Sequence, residues 1–329
     1  MIFMDNMKAF ITGITGQDGS YLAELLLGKG YVVHGLVHPE ALSGNNIKHL
    51  ASNPNINGRT LFLHTGVLED GTRLRRLINK AMPDEFYHLA GQSSPRLSLE
   101  LPEMTVESVG VATLRLLEIL RDMEKPARFL HASSSEVFGS PAMSPQDENT
   151  PAIPSTPYGA AKAFSQHMAC IYRNAFKMPA CSAILYNHES PRRNTSFVTM
   201  KIARAAAMIK RGLQQELLLG DMEARRDWGW APDYVDGLWR ILQAGGNDEY
   251  ILASGVLHSV ADFAERAFGC VGLNWRDYVK HDASLVTAAE PVSLCGNPTK
   301  AETVLGWSRT VGFGEMVERL VASQYDSIS

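Results

Sequence analysis

Hydrophobic positions along the chain fall into two alternating periods. Short continuous apolar runs, "KAFIT", "YVVHGLV", "TLFLHTG", "DEFYHLAG", "ARFLHASSS" and "PACSAILYN", read as strands buried on both faces. Between them, apolar residues recur at helical spacing in "SYLAELLLGKG", "GTRLRRLINKAM", "VGVATLRLLEILRDM" and "SPYGAAKAFSQHMACIYRNAF". Strand and helix alternate through about residue 186. That alternation predicts an α/β chain with a doubly wound parallel sheet, because parallel neighbours need a crossover and helices serve as crossovers. After "NHESPRRN" the pattern loosens. "FVTMKIARAAAMIKRG" reads as a helix, "DMEARRDWGWAPDYVDGLWRILQAG" as a charged turn and a helix, "EYILAS" as a strand returning to the sheet, and "FGEMVERLVAS" as a last helix. The expected division is a sheet domain over 1–186, with a return segment near 235–256, and a smaller lobe formed mostly by 187–329.

Composition narrows the function classes. The chain has 329 residues and a formal net charge of -4, from 31 basic and 35 acidic residues, so no basic excess points to nucleic acid and no polybasic run to a membrane surface. The four cysteines, Cys170, Cys181, Cys270 and Cys295, form no C-x-x-C pair, so neither a zinc site nor a disulfide framework is indicated. The start lacks the basic and apolar regions of a signal peptide, and no apolar run approaches the ~20 residues of a membrane span. A reducing cytoplasm is the expected location.

Three motifs carry chemistry. "GITGQDG" puts Gly13, Gly16 and Gly19 between the first strand and the first helix, the context in which backbone N–H groups and a helix N-terminus receive a pyrophosphate. "YGAAK" puts Tyr158 and Lys162 four apart on one helix face, where a lysine cation is expected to lower the phenol pKa and ready it for proton transfer. "SSSEVFGS" ends the fifth strand with Ser134 and Glu136 two apart, so on a continuing strand both would face the crevice at the strand ends. The carboxylate is one acid/base more than a simple dehydrogenase needs. Arg192, Arg193, Arg225 and Arg226 are suited to a diphosphate, although any single arginine reads equally well as a solvated surface charge.

Together these segments resemble the GDP-mannose 4,6-dehydratase family of the extended short-chain dehydrogenase/reductases. "ITGITGQDGSYLAELLLGKGYVVHG", "ASSSEVFG", "SPYGAAK", "NHESPRR" and "RRDWG" carry the resemblance, which runs from about residue 8 and thins after residue 270. It implies a Rossmann-type sheet with a substrate-binding C-terminal lobe and a GDP-sugar substrate. It also implies an NAD or NADP cofactor and a homodimer or homotetramer. It assigns Ser134, Glu136, Tyr158 and Lys162 to catalysis, with serine standing where the family has threonine. It places Gly13, Thr15, Gly16, Gln17, Asp18, Gly19, Leu68, Leu89, Ala90, Gly91, Gln92, Ser93, His188 and Arg193 near the cofactor, with Tyr158 and Lys162 contributing there as well. Ser94, Asn187, Arg192, Lys201 and Arg226 would approach the sugar nucleotide. The implied reaction oxidises C4 through Tyr158, eliminates the C6 hydroxyl as water through Glu136, and returns the hydride to C6.

The chain departs from the family at further positions. His38 and Pro39 stand where paired arginines would hold a 2′-phosphate, and Asn46 replaces a further one. Glu40 is placed to meet a ribose 2′-OH, or is simply a loop acid, and NAD is expected over NADP. Val67 replaces an aspartate expected to pair with adenine. Thr287 and Met200 stand at positions where the family carries arginine, which thins the phosphate contacts. The alternatives are a related nucleotide-sugar reductase, epimerase or decarboxylase, or a sugar-nucleotide-binding homologue without turnover.

Overall fold

The computed structural model describes residues 7–41, 45–286 and 294–328. Seven strands form one parallel sheet: β1 Lys8–Thr12, β2 Val32–Val37, β3 Leu61–Thr65, β4 Glu85–His88, β5 Arg128–Ser134, β6 Ala180–Leu185 and, after a short β7 Asn187–Glu189 that lies outside this sheet, the returning strand Tyr250–Leu252. The returning strand pairs in parallel with β6 at the edge, where "EYILAS" was expected to go. β1 lies between β2 and β4, so the winding direction reverses beside the β1 carboxyl end. A ligand crevice forms at such a reversal.

Side-chain alternation along each strand builds two cores. On one face Ala9, Ile11, Val33, Leu130 and Cys181 pack with Leu22 and Leu26 of the helix Gln17–Gly28 and Leu238 and Ile241 of the helix Ala231–Gln243. On the other, Phe10, Phe86 and Phe129 occupy one register on β1, β4 and β5, with ring centroids 5.2 and 5.9 Å apart. The helices Gly71–Ala81, Ala112–Arg121 and Pro157–Phe176 cover that face through Leu74, Leu116 and Tyr172.

A third core belongs to the C-terminal half. Met200, Ile202, Phe263, Phe268, Val317 and Leu320 join the helices Val198–Lys210, Val260–Cys270 and Phe313–Ser327. Two small sheets serve it. β8 Leu217–Leu219 pairs with Val279–His281, and β9 Arg225–Trp230 lies between β7 and Leu257–Ser259. The charged segment "RRDWG" is therefore a strand and not the expected turn: Asp227, Trp228, Gly229 and Trp230 are buried, and a buried backbone needs ladder partners. No helix among the described residues is long and apolar enough to cross a membrane.

Candidate active site

The glycine turn closes tightly. A Cβ on Gly19 would lie 2.1 Å from the Gly13 carbonyl oxygen, so only glycine lets the helix start this close to the strand. Gly16 is the N-cap, and no side chain caps the helix. Its first-turn N–H groups are thereby left open to an anion. Both features fit a dinucleotide pyrophosphate. Asn46 braces the turn, its amide donating to the Thr15 carbonyl (3.2 Å).

Asp18 and His188 lock the turn to the C-terminal half. His188 Nε2 donates to Asp18 Oδ2 (2.9 Å), and Nδ1 donates to the Tyr186 carbonyl (2.6 Å). Carbonyls and carboxylates only accept, so both ring nitrogens carry protons and His188 is an imidazolium. Burial alone would raise the Asp18 carboxyl, but the His188 charge and hydrogen bond outweigh it and hold the pKa below the usual value. Burial alone would lower His188, and Asp18 reverses this to a raised value. Gln17 tightens the junction by donating to Asp18 and to the His188 carbonyl, and Ser190 donates to Gln17.

One pocket at the carboxyl ends of β4, β5 and β6 brings together Asp18, Leu89, Gly91, Gln92, Ser93, Ser134, Glu136, Tyr158, Lys162, Asn187, His188 and Arg193. Ser134 and Glu136 do not share it through strand alternation. β5 ends at Ser134, and Ser135–Val137 is a single helical turn in which the Glu136 N–H donates to Ser134 Oγ (3.2 Å). The turn, not the pleat, aims the carboxylate. Tyr158 and Lys162 come from the helix Pro157–Phe176, which Thr156 caps by accepting from the Gly159 N–H (3.0 Å). Gly159 lets that helix touch the turn: a Cβ there would lie 2.4 Å from the Glu136 carbonyl oxygen.

The electrostatics correct one expectation. Tyr158 is not lowered; burial pushes it up to about 12, with Glu136 adding and the Ser134 hydrogen bond and Arg193 opposing. Lys162 Nζ sits 5.7 Å from the Tyr158 ring centroid and donates to the Ala132 carbonyl (2.6 Å). Burial pulls Lys162 itself down to about 8, partly offset by Asp18. In this buried pocket the desolvation of a phenolate outweighs the attraction of nearby cations.

The remaining sequence-derived residues divide. Ala90 donates its N–H to Thr12 Oγ1 (3.2 Å), fixing the loop that follows β4. Leu68 is core, Ser94 Oγ accepts from the Leu97 N–H as a helix cap, and Met200 is fully buried. Arg192 is turned away from the pocket: its guanidinium donates to Glu24 and Ser20 and lies over the Tyr21 ring. Arg225 is exposed and lines neither pocket of the crevice. Lys201 and Arg226 line a second pocket beside the first, together with Arg96. Thr287 lies outside the described residues. Arg96 follows a proline in "SSPRLSLE", and nothing local in that segment marks it as a site residue. Glu189 was also illegible: it is buried, accepts from Thr199 Oγ1 (2.7 Å) and pairs with Arg193 (3.3 Å), holding that arginine at the pocket.

A family profile described as GDP-mannose 4,6 dehydratase matches residues 10–320. The chain belongs to this family. A GDP-mannose 4,6 dehydratase 2 of Arabidopsis thaliana is 46% identical over 319 residues, covering 95% of this chain and 85% of the relative. The Homo sapiens GDP-mannose 4,6 dehydratase is 40% identical, with 95% and 90% covered. Among solved structures, a dTDP-glucose 4,6-dehydratase of Streptomyces venezuelae with NAD bound superposes with a TM-score of 0.85 at 24% identity, covering 98% of each chain. A UDP-glucose 4-epimerase of Thermotoga maritima gives 0.84 at 20%, covering 98% of this chain and 100% of that one. At such identity these two speak for the fold alone. In this chain Ser134, Glu136, Tyr158 and Lys162 line one pocket.

Proposed function

We propose that this chain is a nucleotide-sugar 4,6-dehydratase, a hydro-lyase that converts GDP-mannose or a close GDP-hexose to the 4-keto-6-deoxy sugar. The observation that carries the reading is Glu136 in the same pocket as Ser134, Tyr158 and Lys162. A reductase or epimerase needs the tyrosine; elimination needs the second acid/base as well. A bound NAD(P) would supply a hydride acceptor that gives its hydride back within one turnover.

The residues divide the proton work. Tyr158 Oη accepts the proton of the C4 hydroxyl as that carbon becomes a ketone. Ser134, in the same pocket, would hold the same oxygen. The ketone acidifies C5–H, and Glu136 takes that proton. Glu136 then delivers a proton to the departing C6 hydroxyl, which leaves as water. The proton that Tyr158 took up is given back and reaches C5, and, with a bound NAD(P) unchanged over the turnover, the sum would be loss of one water with no net redox change. Tyr158, pushed up to about 12, accepts a proton strongly once it is ionised, and each loss of its proton depends on a nearby positive charge. Lys162 and Arg193 line the pocket with it and carry such charge.

NAD is the cofactor this reading favours over NADP. β2 ends at Val37, and the next side chains, His38 and Glu40, are exposed and 4.0 Å apart, with a carboxylate where a 2′-phosphate would need a cation. The sheet domain 1–186 would hold the dinucleotide and the lobe formed mostly by 187–329 the sugar nucleotide. A homodimer or homotetramer is supported by the exposed Leu99, Met104, Phe164 and Ile171 on neighbouring helices; a purely monomeric sedimentation profile would remove that reading.

Separable mutants test the chemistry. Glu136→Gln should oxidise C4 and trap reduced cofactor, visible by its absorbance, while failing to exchange the C5 proton with solvent deuterium. Tyr158→Phe should yield no reduced cofactor. Each loss should be ~10²–10⁴ in turnover. Near-normal turnover by Glu136→Gln on a true substrate would reject the dehydratase reading.

A further inference from the structure

The two pockets of the crevice share their walls residue by residue. Pro95 lines the catalytic pocket and Arg96 the second; Phe197 lines the catalytic pocket, and Ser196 and Val198 the second. A ligand seated in both must pass between these two segments. Arg96, Lys201 and Arg226 stand around the second pocket, facing apolar wall from Leu218, Val260 and Val286, with Asp221 as the acid among the lining residues.

Most arginines near the crevice are already committed. Arg192 is tied to Glu24, and Arg193 to Glu189. Arg96 and Lys201 have no side-chain hydrogen bond or ion pair among the described residues. Gathering unpaired cations around one concavity costs electrostatic energy, and apolar walls focus the field of those charges. A doubly charged anion repays that cost. A guanidinium adds two parallel donors to a phosphate, which the lysine ammonium cannot.

We propose that Arg96 is a substrate-binding residue that grips the diphosphate of the nucleotide sugar where it crosses from the catalytic pocket to the second pocket. The proposal deepens the dehydratase reading and rests on its substrate class. It also adds a phosphate contact to a chain that carries Met200 and Thr287 where the family it resembles has arginine.

The test is calorimetric titration of the full chain with GDP, GMP, UDP and NAD for the natural protein, Arg96→Gln and Arg96→Lys. Arg96→Gln should weaken GDP binding by ~10–100-fold, the cost of losing a charge-assisted contact. Its preference for GDP over GMP should shrink, and NAD binding should be unchanged. Arg96→Lys should fall between, because it keeps the charge and loses the paired donors. The proposal is overturned if Arg96→Gln binds GDP as tightly as the natural protein. Equal losses of NAD and GDP binding, or a natural protein that binds no nucleoside diphosphate, overturn it too. If UDP binds better than GDP and depends on Arg96, the proposal stands and the GDP-sugar reading fails. If GDP-mannose binds through Arg96 and is never dehydrated, only the dehydratase reading fails.

Discussion

Replacing Asp18 by Asn removes one charge from the Asp18–His188 clasp and keeps its shape. Breaking a buried ion pair costs ~3–5 kcal/mol. The Asp18 side chain keeps 22% of its surface exposed, against 9% for His188, so solvent screening places the loss near the lower end, about 3 kcal/mol. The pH dependence follows from the two shifts. Asp18 has a lowered folded pKa, so its contribution is present above the unfolded value of 3.8 and lost as pH falls through the folded one. His188 has a raised folded pKa, so its contribution is full below the unfolded value of 6.5 and lost as pH rises through the folded one. The clasp is therefore strongest between those two unfolded values and fades on the alkaline side. Urea unfolding of the natural protein and Asp18→Asn should show the full stability gap at about pH 6 and a smaller gap at about pH 9. An equal gap at both pH values would mean that His188 is not an imidazolium in the fold, and the charge assignment drawn from its two acceptors would be wrong.

Two further outcomes are expected. Gly19→Ala would set a Cβ 2.1 Å from a backbone oxygen that cannot rotate away, so the turn must open; dinucleotide affinity should fall by more than ~10-fold in fluorescence titration, and retained affinity would refute the close-contact argument. Titration of the natural protein should give NAD an affinity at least equal to that of NADP. A clear NADP preference would mean that cations other than the missing pair at His38 and Pro39 hold the 2′-phosphate.

Local periodicity and composition were enough to read the parallel sheet, its helical crossovers, the returning strand at Tyr250–Leu252 and the glycine turn. Such features depend on neighbours a few residues apart, where the alternation of apolar positions reports burial directly. Residue spacing pointed Ser134 and Glu136 to the crevice beside Tyr158, the resemblance assigned them to catalysis with Tyr158 and Lys162, and folding brought all four to one pocket, through a helical turn after Ser134 and not a continuing strand. What escaped the sequence depends on distant segments. "RRDWG" has the charge of a turn, yet tertiary burial between β7 and Leu257–Ser259 makes it a strand. Arg192 and Arg193 are adjacent and identical in type, and only packing sends one to Glu24 and the other to Glu189 at the pocket. The sign of the Tyr158 shift was misread for the same reason. A Y-x-x-x-K spacing reports a nearby cation, whereas the desolvation that dominates is a property of the closed pocket, built from β4, β5, β6 and the Pro157–Phe176 helix together.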